Sequence, residues 1–283
     1  MESFDTISRY ISFSGLLEVK TSLHIGAGKT TDSLGSDMPV IRDFQNNPFI
    51  PGSSFKGVIR SFCESMLRSF SPGDKTFCCD ISSKNWCVTN TDKTKFWNNK
   101  NSNEPNDHEA WYKYLDEKLC PICKIFGSPW QQGKVHFPDM SVKLDSWNSS
   151  MFTIRDCTAI DRESGIAKDK SKYDFEIIPS GVQFQFSMSA SNLEDWELGL
   201  LLFALESFDN DFVTLGGLKS KGAGHIKINI LKINPLNPYC LSTQEKTIID
   251  TTEAIKNFKE KTKIELDKKI KDLQKKARGS NYA

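Results

Sequence analysis

Apolar and polar residues alternate over residues 10–25, the period-two pattern of a strand, and the run stops at Gly26-Ala27-Gly28. Residues 39–50 read as a tight hairpin around the turn pair Asn46-Asn47. The period then lengthens. Phe55, Val58, Ile59, Phe62, Met66 and Phe70 recur at helical spacing, which predicts a helix over 53–70 with Ser53 as its N-cap. Residues 74–105 are rich in Asn, Lys, Ser, Thr and Cys with few aliphatics, so they read as an insertion rather than core. A short helix is expected over 111–119, a compact knuckle over 120–129, and regular structure resumes at Val135. A strand over 152–159, a polar loop or hairpin over 161–174 and a strand over 175–190 follow, the last with Val182, Phe184, Phe186 and Met188 on one face. A helix over 194–208 turns Leu198, Leu201, Leu202 and Leu205 inward. A glycine-rich loop (216–224) then leads into a closing strand over 225–233. The order strand, helix, strands, helix, strand predicts an α+β ferredoxin-like or RRM-like sheet with helices on one face. Beyond Pro235, Ile255, Phe258, Thr262, Leu266, Ile270 and Leu273 form a narrow stripe on a Lys/Glu-rich helix, read first as a docking segment.

The chain has 283 residues and a formal net charge of +1. Any grip on nucleic acid must therefore be local rather than spread over a basic surface. The N-terminus lacks a basic-then-apolar signal pattern, and the longest apolar run, 198–205, is too short to span a bilayer. The expected location is cytoplasmic, with no membrane partner. The 8 cysteines then point to metal rather than to a disulfide framework.

Four constellations could carry chemistry. A helix opening Pro51-Gly52-Ser53-Ser54, with Lys56 and Arg60 one turn apart, could hold a phosphate on backbone amides, hydroxyls and two cations; it could equally be an ordinary capped surface helix. Gly216, Gly217, Gly222 and Gly224 frame Lys219, Ser220 and Lys221, a loop able to lay amides and ammonium groups along a phosphate chain or to be a solvated turn. The run follows a helix and opens a strand, so it is not a dinucleotide fingerprint. Cys120-Pro121-Ile122-Cys123 has the spacing of half a zinc site; Cys87 with Cys79 or Cys78 would complete it, and His108 is a substitute ligand. Asp37 lies in a Gly/Ser loop, where it could polarise a 2′-hydroxyl or hold a divalent ion at a phosphate, or simply bond its own backbone; Asp32 and Asp43 are rivals. Arg155, Arg162, Lys168, Lys170 and Lys172 decorate the 161–174 region and its approach. They could track RNA or belong to a solvated hairpin. His24 reads as a packed histidine.

The blocks His24-Ile25-Gly26, Asp37-Met38-Pro39-Val40-Ile41-Arg42-Asp43 and 50–60 (IPGSSFKGVIR) resemble the RAMP superfamily, in particular the backbone subunit of type III CRISPR effector complexes. Gly216 to Gly224 is similar to that family's glycine-rich loop. Ala159-Ile160-Asp161-Arg162 with Gly165, Glu176 and Pro179-Ser180-Gly181 resembles its thumb, and 120–128 its knuckle. The resemblance implies an RRM-like palm in two parts (1–73 and 131–235), a thumb at about 152–182, a zinc-knuckle insertion (74–130) and a C-terminal tail with an amphipathic helix (236–283). It implies a subunit that binds guide RNA beside other effector subunits and cuts paired target RNA with a divalent metal ion, magnesium being the expected one, at the position of Asp37. A non-catalytic guide-binding subunit and a guide-processing endoribonuclease using His225 remain as alternatives.

Overall fold

The computed structural model describes residues 6–28, 36–70, 77–80, 86–98, 108–168, 171–236, 248–250 and 252–280. Asp32 and Lys170 lie outside the described residues. The elements run β1 (Tyr10–Val19), β2 (Phe49–Ile50), α1 (Gly52–Phe70), α2 (Asn90–Asn98), α3 (His108–Lys118), α4 (Pro121–Phe126), β3 (Val135–His136) and β4 (Met140–Ser141). They continue β5 (Thr153–Cys157), β6 (Tyr173–Ile177), β7 (Gln183–Ser191), α5 (Asp195–Asp209), β8 (Ile226–Leu236) and α6 (Thr252–Ser280). The main sheet is antiparallel with strand order β3-β7-β1-β8, the ferredoxin-like arrangement that the element order predicts.

Alternation in β1 buries Ile11, Phe13, Leu17 and Val19, and β7 opposes them with Phe184, Phe186, Met188 and Ala190. The β1–β8 register slips between Ser14 and Gly15, where Leu231 is the extra residue and is exposed. A side chain at Gly15 would overlap Asn229 O, so the bulge needs glycine. Helices α1 and α5 cover one face; Phe55 stacks on Phe208 at 5.6 Å and Phe62 on Phe203 at 6.2 Å. Helix α5 begins with a capping box between Glu194 and Glu197. It is buried nearly all round because α6 covers its outer side, with Ile255, Thr262, Leu266 and Leu273 turned inward.

Five expectations need correcting. The helix expected to be capped by Ser53 starts at Gly52, and the Asp139 carboxylate caps it, accepting the Gly52 N–H at 2.8 Å. Gly52 packs against the Phe137 backbone so tightly that a Cβ would collide with it, which brings Asp139 within reach. The strand over 10–25 ends at Val19; Ser22, Leu23 and Gly26 make single bridges to Ala223, Ile178 and Val40 instead. The strand over 175–190 is two strands, parted where Gly181 turns with φ 89°. The hairpin over 39–50 has one bridge, Arg42 to Pro48, around left-handed Asn46, while β2 pairs with β4. The insertion also reaches the core, since Phe77 and Val88 are buried and Phe77 meets Phe70 at the end of α1. No helix among the described residues is long and apolar enough to cross a membrane.

Candidate nucleic-acid interface and metal centre

Asp37 is exposed beside the β5–β6 hairpin, bound to Asp174 near the start of β6. The Asp37 N–H donates to Asp174 Oδ1 at 2.8 Å, and the Asp174 N–H donates to Asp37 Oδ2 at 3.1 Å. Ser36 Oγ–H donates to the same Asp174 Oδ1 at 2.6 Å. The Ser36 hydroxyl first, then the Asp37 amide, hold the Asp174 carboxyl below the usual range. Two residues further along β6, Glu176 fastens the rest of the segment. Its N–H donates to Met38 O, its carboxylate accepts from Val40 N–H at 3.0 Å, and it pairs with Arg42. The Arg42 guanidinium lies over the Phe152 ring, 3.8 Å from the centroid. Asp43, a rival carboxylate, is spent on the amides of Gln45 and Asn47. His24 is buried, with Nδ1 2.7 Å from Glu176 O.

The glycine-rich loop packs onto this end of the sheet. Gly217 N–H donates to His24 O and Gly224 N–H to Ser22 O, and a Cβ on Gly216 would overlap His24 O. Lys219, Ser220 and Lys221 form one exposed 3-10 turn between left-handed Leu218 and Gly222. Lys221 Nζ bonds Tyr173 Oη, lies 3.6 Å from Cys157 Sγ, and sits over the Tyr173 ring. Loop and hairpin therefore meet at Tyr173, next to the residue that holds Asp37. Along the hairpin Arg155, Arg162 and Lys168 are exposed, and neither arginine has an ion pair among the described residues. Lys172 pairs with Asp156 at 3.2 Å.

On α1, Ser53 and Ser54 are exposed in the first turn. Gly52 gives its amide to Asp139, so an internal carboxylate already occupies that N-terminal donor. Lys56 Nζ donates to Val135 O at 3.2 Å, and burial, then the Arg60 charge, lower its pKa. Arg60 donates to Glu64 at 2.9 Å and to Gly127 O at 3.2 Å. Both cations tie α1 to the segments after it.

The sulfurs of Cys79, Cys87, Cys120 and Cys123 lie within 4.8 Å of one another, and these four could hold a metal ion. Tetrahedral ligands at a Zn–S length of about 2.3 Å stand roughly 3.8 Å apart, and Cys79 and Cys123 sulfurs are 3.5 Å apart. The donor set fits such an ion. Hydrogen bonds from Cys123, then Cys78, Cys79 and Cys87, pull the Cys120 thiol below its usual range, while Cys120 pushes Cys123 up. Of the vicinal pair, Cys79 joins the cluster and Cys78 turns its sulfur to Cys79 O at 3.3 Å. His108 packs its ring against Trp97 instead. His225 binds Asp211 through Nδ1 at 2.8 Å just before β8.

Asp174 and Asp139 went unnoticed in the sequence. Each is a lone carboxylate far along the chain from its partner, by 137 and 87 residues, and no local spacing marks such a pair.

Comparison with known proteins gives consistent matches. The chain is 25% identical over 277 residues to a protein named CRISPR system Cms endoribonuclease Csm3 from Methanocaldococcus jannaschii, covering 93% of this chain and 95% of the relative. Proteins of the same name from Methanothermobacter thermautotrophicus and Streptococcus thermophilus are each 24% identical. The first alignment covers 84% of this chain and 91% of the relative, the second 78% and 88%. A model of the RAMP superfamily matches residues 16–227, which hold β3, β7 and the two helices that cover the sheet, and the chain belongs to that superfamily.

Proposed function

We propose that this chain is a backbone subunit of a type III CRISPR ribonucleoprotein, holding guide RNA and cutting the target RNA paired to it, with Asp37 as the cleaving acid. One observation carries the reading. Exposed Asp37 is bound to Asp174, and the adjacent Tyr173 is bound to Lys221 of the glycine-rich loop. The acid, the basic hairpin and the loop thus converge within two residues of β6. Lys219 and Ser220, with Ser53 and Ser54 on α1, offer exposed donors for phosphates of the guide strand, and Arg155 and Arg162 offer charge along the hairpin. Base pairing supplies the sequence specificity, so backbone contacts suffice and a net charge of +1 is no obstacle. Gly52, Lys56 and Arg60 shape this surface from behind through their contacts with Asp139, Val135 and Gly127.

Asp37 Oδ2 accepts the Asp174 amide, and Oδ1 has no partner among the described residues, so one oxygen remains to face the RNA. A divalent ion held there, magnesium in this reading, would stabilise charge on the scissile phosphate. The four-cysteine cluster is read as a structural zinc site. His225 is bonded to Asp211, which favours a structural role over guide processing.

The test is Asp37→Ala in the assembled complex. Cleavage opposite this subunit should fall by about 10²- to 10³-fold while assembly and target binding hold. Unchanged cleavage in Asp37→Ala together with loss in Asp32→Ala would transfer the role to Asp32.

A further inference from the structure

We propose that Asp174 is the positioning residue for Asp37: it aims the Asp37 carboxylate at the RNA without touching substrate itself. The inference rests on the reading of Asp37 as the cleaving acid. Its basis is the closed pair of hydrogen bonds between the two aspartates, in which each carboxylate accepts the other's backbone N–H. The Asp174 amide holds Oδ2, and the Asp174 carboxylate anchors the Asp37 backbone that carries the side chain, so together they set the direction left to Oδ1. Bonds from N–H or O–H donors to an ionised carboxylate are the strong kind, and Asp174 Oδ1 takes two of them, from Ser36 Oγ at 2.6 Å and from Asp37 N at 2.8 Å. They also hold two like charges side by side that would otherwise push the loop away from the hairpin.

The neighbouring contacts separate positioning from folding. Asp174 and Glu176 are two apart on β6 and point to the same side. Glu176 is buried and secures Met38, Val40 and Arg42, so it holds the segment in place. The β5–β6 ladder and Lys221 hold the hairpin. The Asp174 carboxylate takes part in neither task; it bonds Ser36 Oγ and the Asp37 amide. Its loss should therefore loosen the acid and leave the fold standing.

The experiment compares complexes assembled with the unchanged chain and with Asp37→Ala, Asp174→Ala, Asp174→Asn and Ser36→Ala. Each is read by single-turnover cleavage of the paired target, by target affinity, and by hydrogen exchange at the Asp37 amide. Asp174→Ala keeps the amide on Asp37 Oδ2 but loses the bonds to Ser36 and to the Asp37 backbone, so it is expected to slow cleavage on the order of tenfold, with target affinity held within about twofold and with faster exchange at Asp37. Asp174→Asn keeps an oxygen for Ser36 and for the Asp37 amide, so its rate and exchange should stay within about threefold of the unchanged chain. Ser36→Ala, which removes the bond to Asp174 and the Met38 N–H bond to Ser36 Oγ, should fall between them and carries the test if Asp174→Ala fails to assemble. Cleavage by Asp174→Ala at the unchanged rate, with Asp37→Ala inactive, overturns the proposal and leaves the role of Asp37 intact. Equal loss in Asp174→Asn and Asp174→Ala overturns it too, because the charge would then matter and not the geometry. Full activity in Asp37→Ala removes the reading of Asp37 and the positioning role with it.

Discussion

Glu197 has no exposed surface, yet it is a carboxylate, and Lys134 reaches both of its oxygens at 2.9 and 2.7 Å. Burial raises the Glu197 pKa, and the Lys134 charge pulls it back. A raised folded value means the carboxyl favours folding fully below the unfolded glutamate value of about 4.3. That contribution is lost as pH rises through the folded value. Removing one partner strands the other. Lys134→Ala should cost about 3–5 kcal/mol in chemical denaturation, and a matched apolar pair at 134 and 197 should recover most of it. A loss under about 1 kcal/mol for Lys134→Ala would show that water reaches Glu197. At this scale the sequence was least legible. Lys56 and Arg60 were spaced correctly for one face of a helix, but spacing cannot tell a phosphate from the carbonyls of Val135 and Gly127, which arrive from 67 and more residues away.

Among elements, α6 alters the picture of α5 most. A helix with one covered side needs one apolar stripe, but α5 buries Leu198, Leu200, Leu201, Leu202 and Leu205 around most of its circumference. The second side faces α6, and Gly199 lets the two backbones touch, since a Cβ there would overlap Thr262 O. Gly199→Val should release α6 and open it to limited proteolysis while the sheet remains folded. Unchanged protection would mean the helices can separate slightly at little cost. Periodicity made both helices and the α6 stripe readable, because those patterns are local. It did not separate β6 from β7, although the apolar set shifts from Phe175 and Ile177 to Val182, Phe184 and Phe186 across Pro179-Ser180-Gly181, because two short apolar runs read as one long strand. The ferredoxin-like order followed from element sequence alone, whereas the bulge at Gly15 depends on Asn229, a residue from another strand.

Across the whole molecule, the four cysteines bring together segments that also meet through Trp130, whose Nε1–H donates to Val88 O at 2.8 Å, and through Trp111 against Phe96. Cys79 and Cys87 come from the insertion, Cys120 and Cys123 from α4 and its cap, and Arg60 on α1 bonds the Gly127 carbonyl that ends α4. An ion there would staple the insertion to the helix that fronts the proposed RNA surface. Purified protein should carry about one zinc per chain. Cys120→Ser with Cys123→Ser should bring that near zero and lower the melting temperature, because metal-binding free energy in such knuckles is folding free energy. Metal content near zero in the unchanged chain would overturn the zinc reading.

Under the proposed function, the bond from Lys221 to Tyr173 has a geometric meaning for work on two strands at once. The turn proposed for one strand and the acid proposed for the other are fastened to consecutive residues of β6, Tyr173 and Asp174. The interval between grip and cut is then written into the protein as a fixed gauge. A change of RNA sequence leaves it untouched, whereas a shift of β6 by a single residue would miscalibrate both ends together.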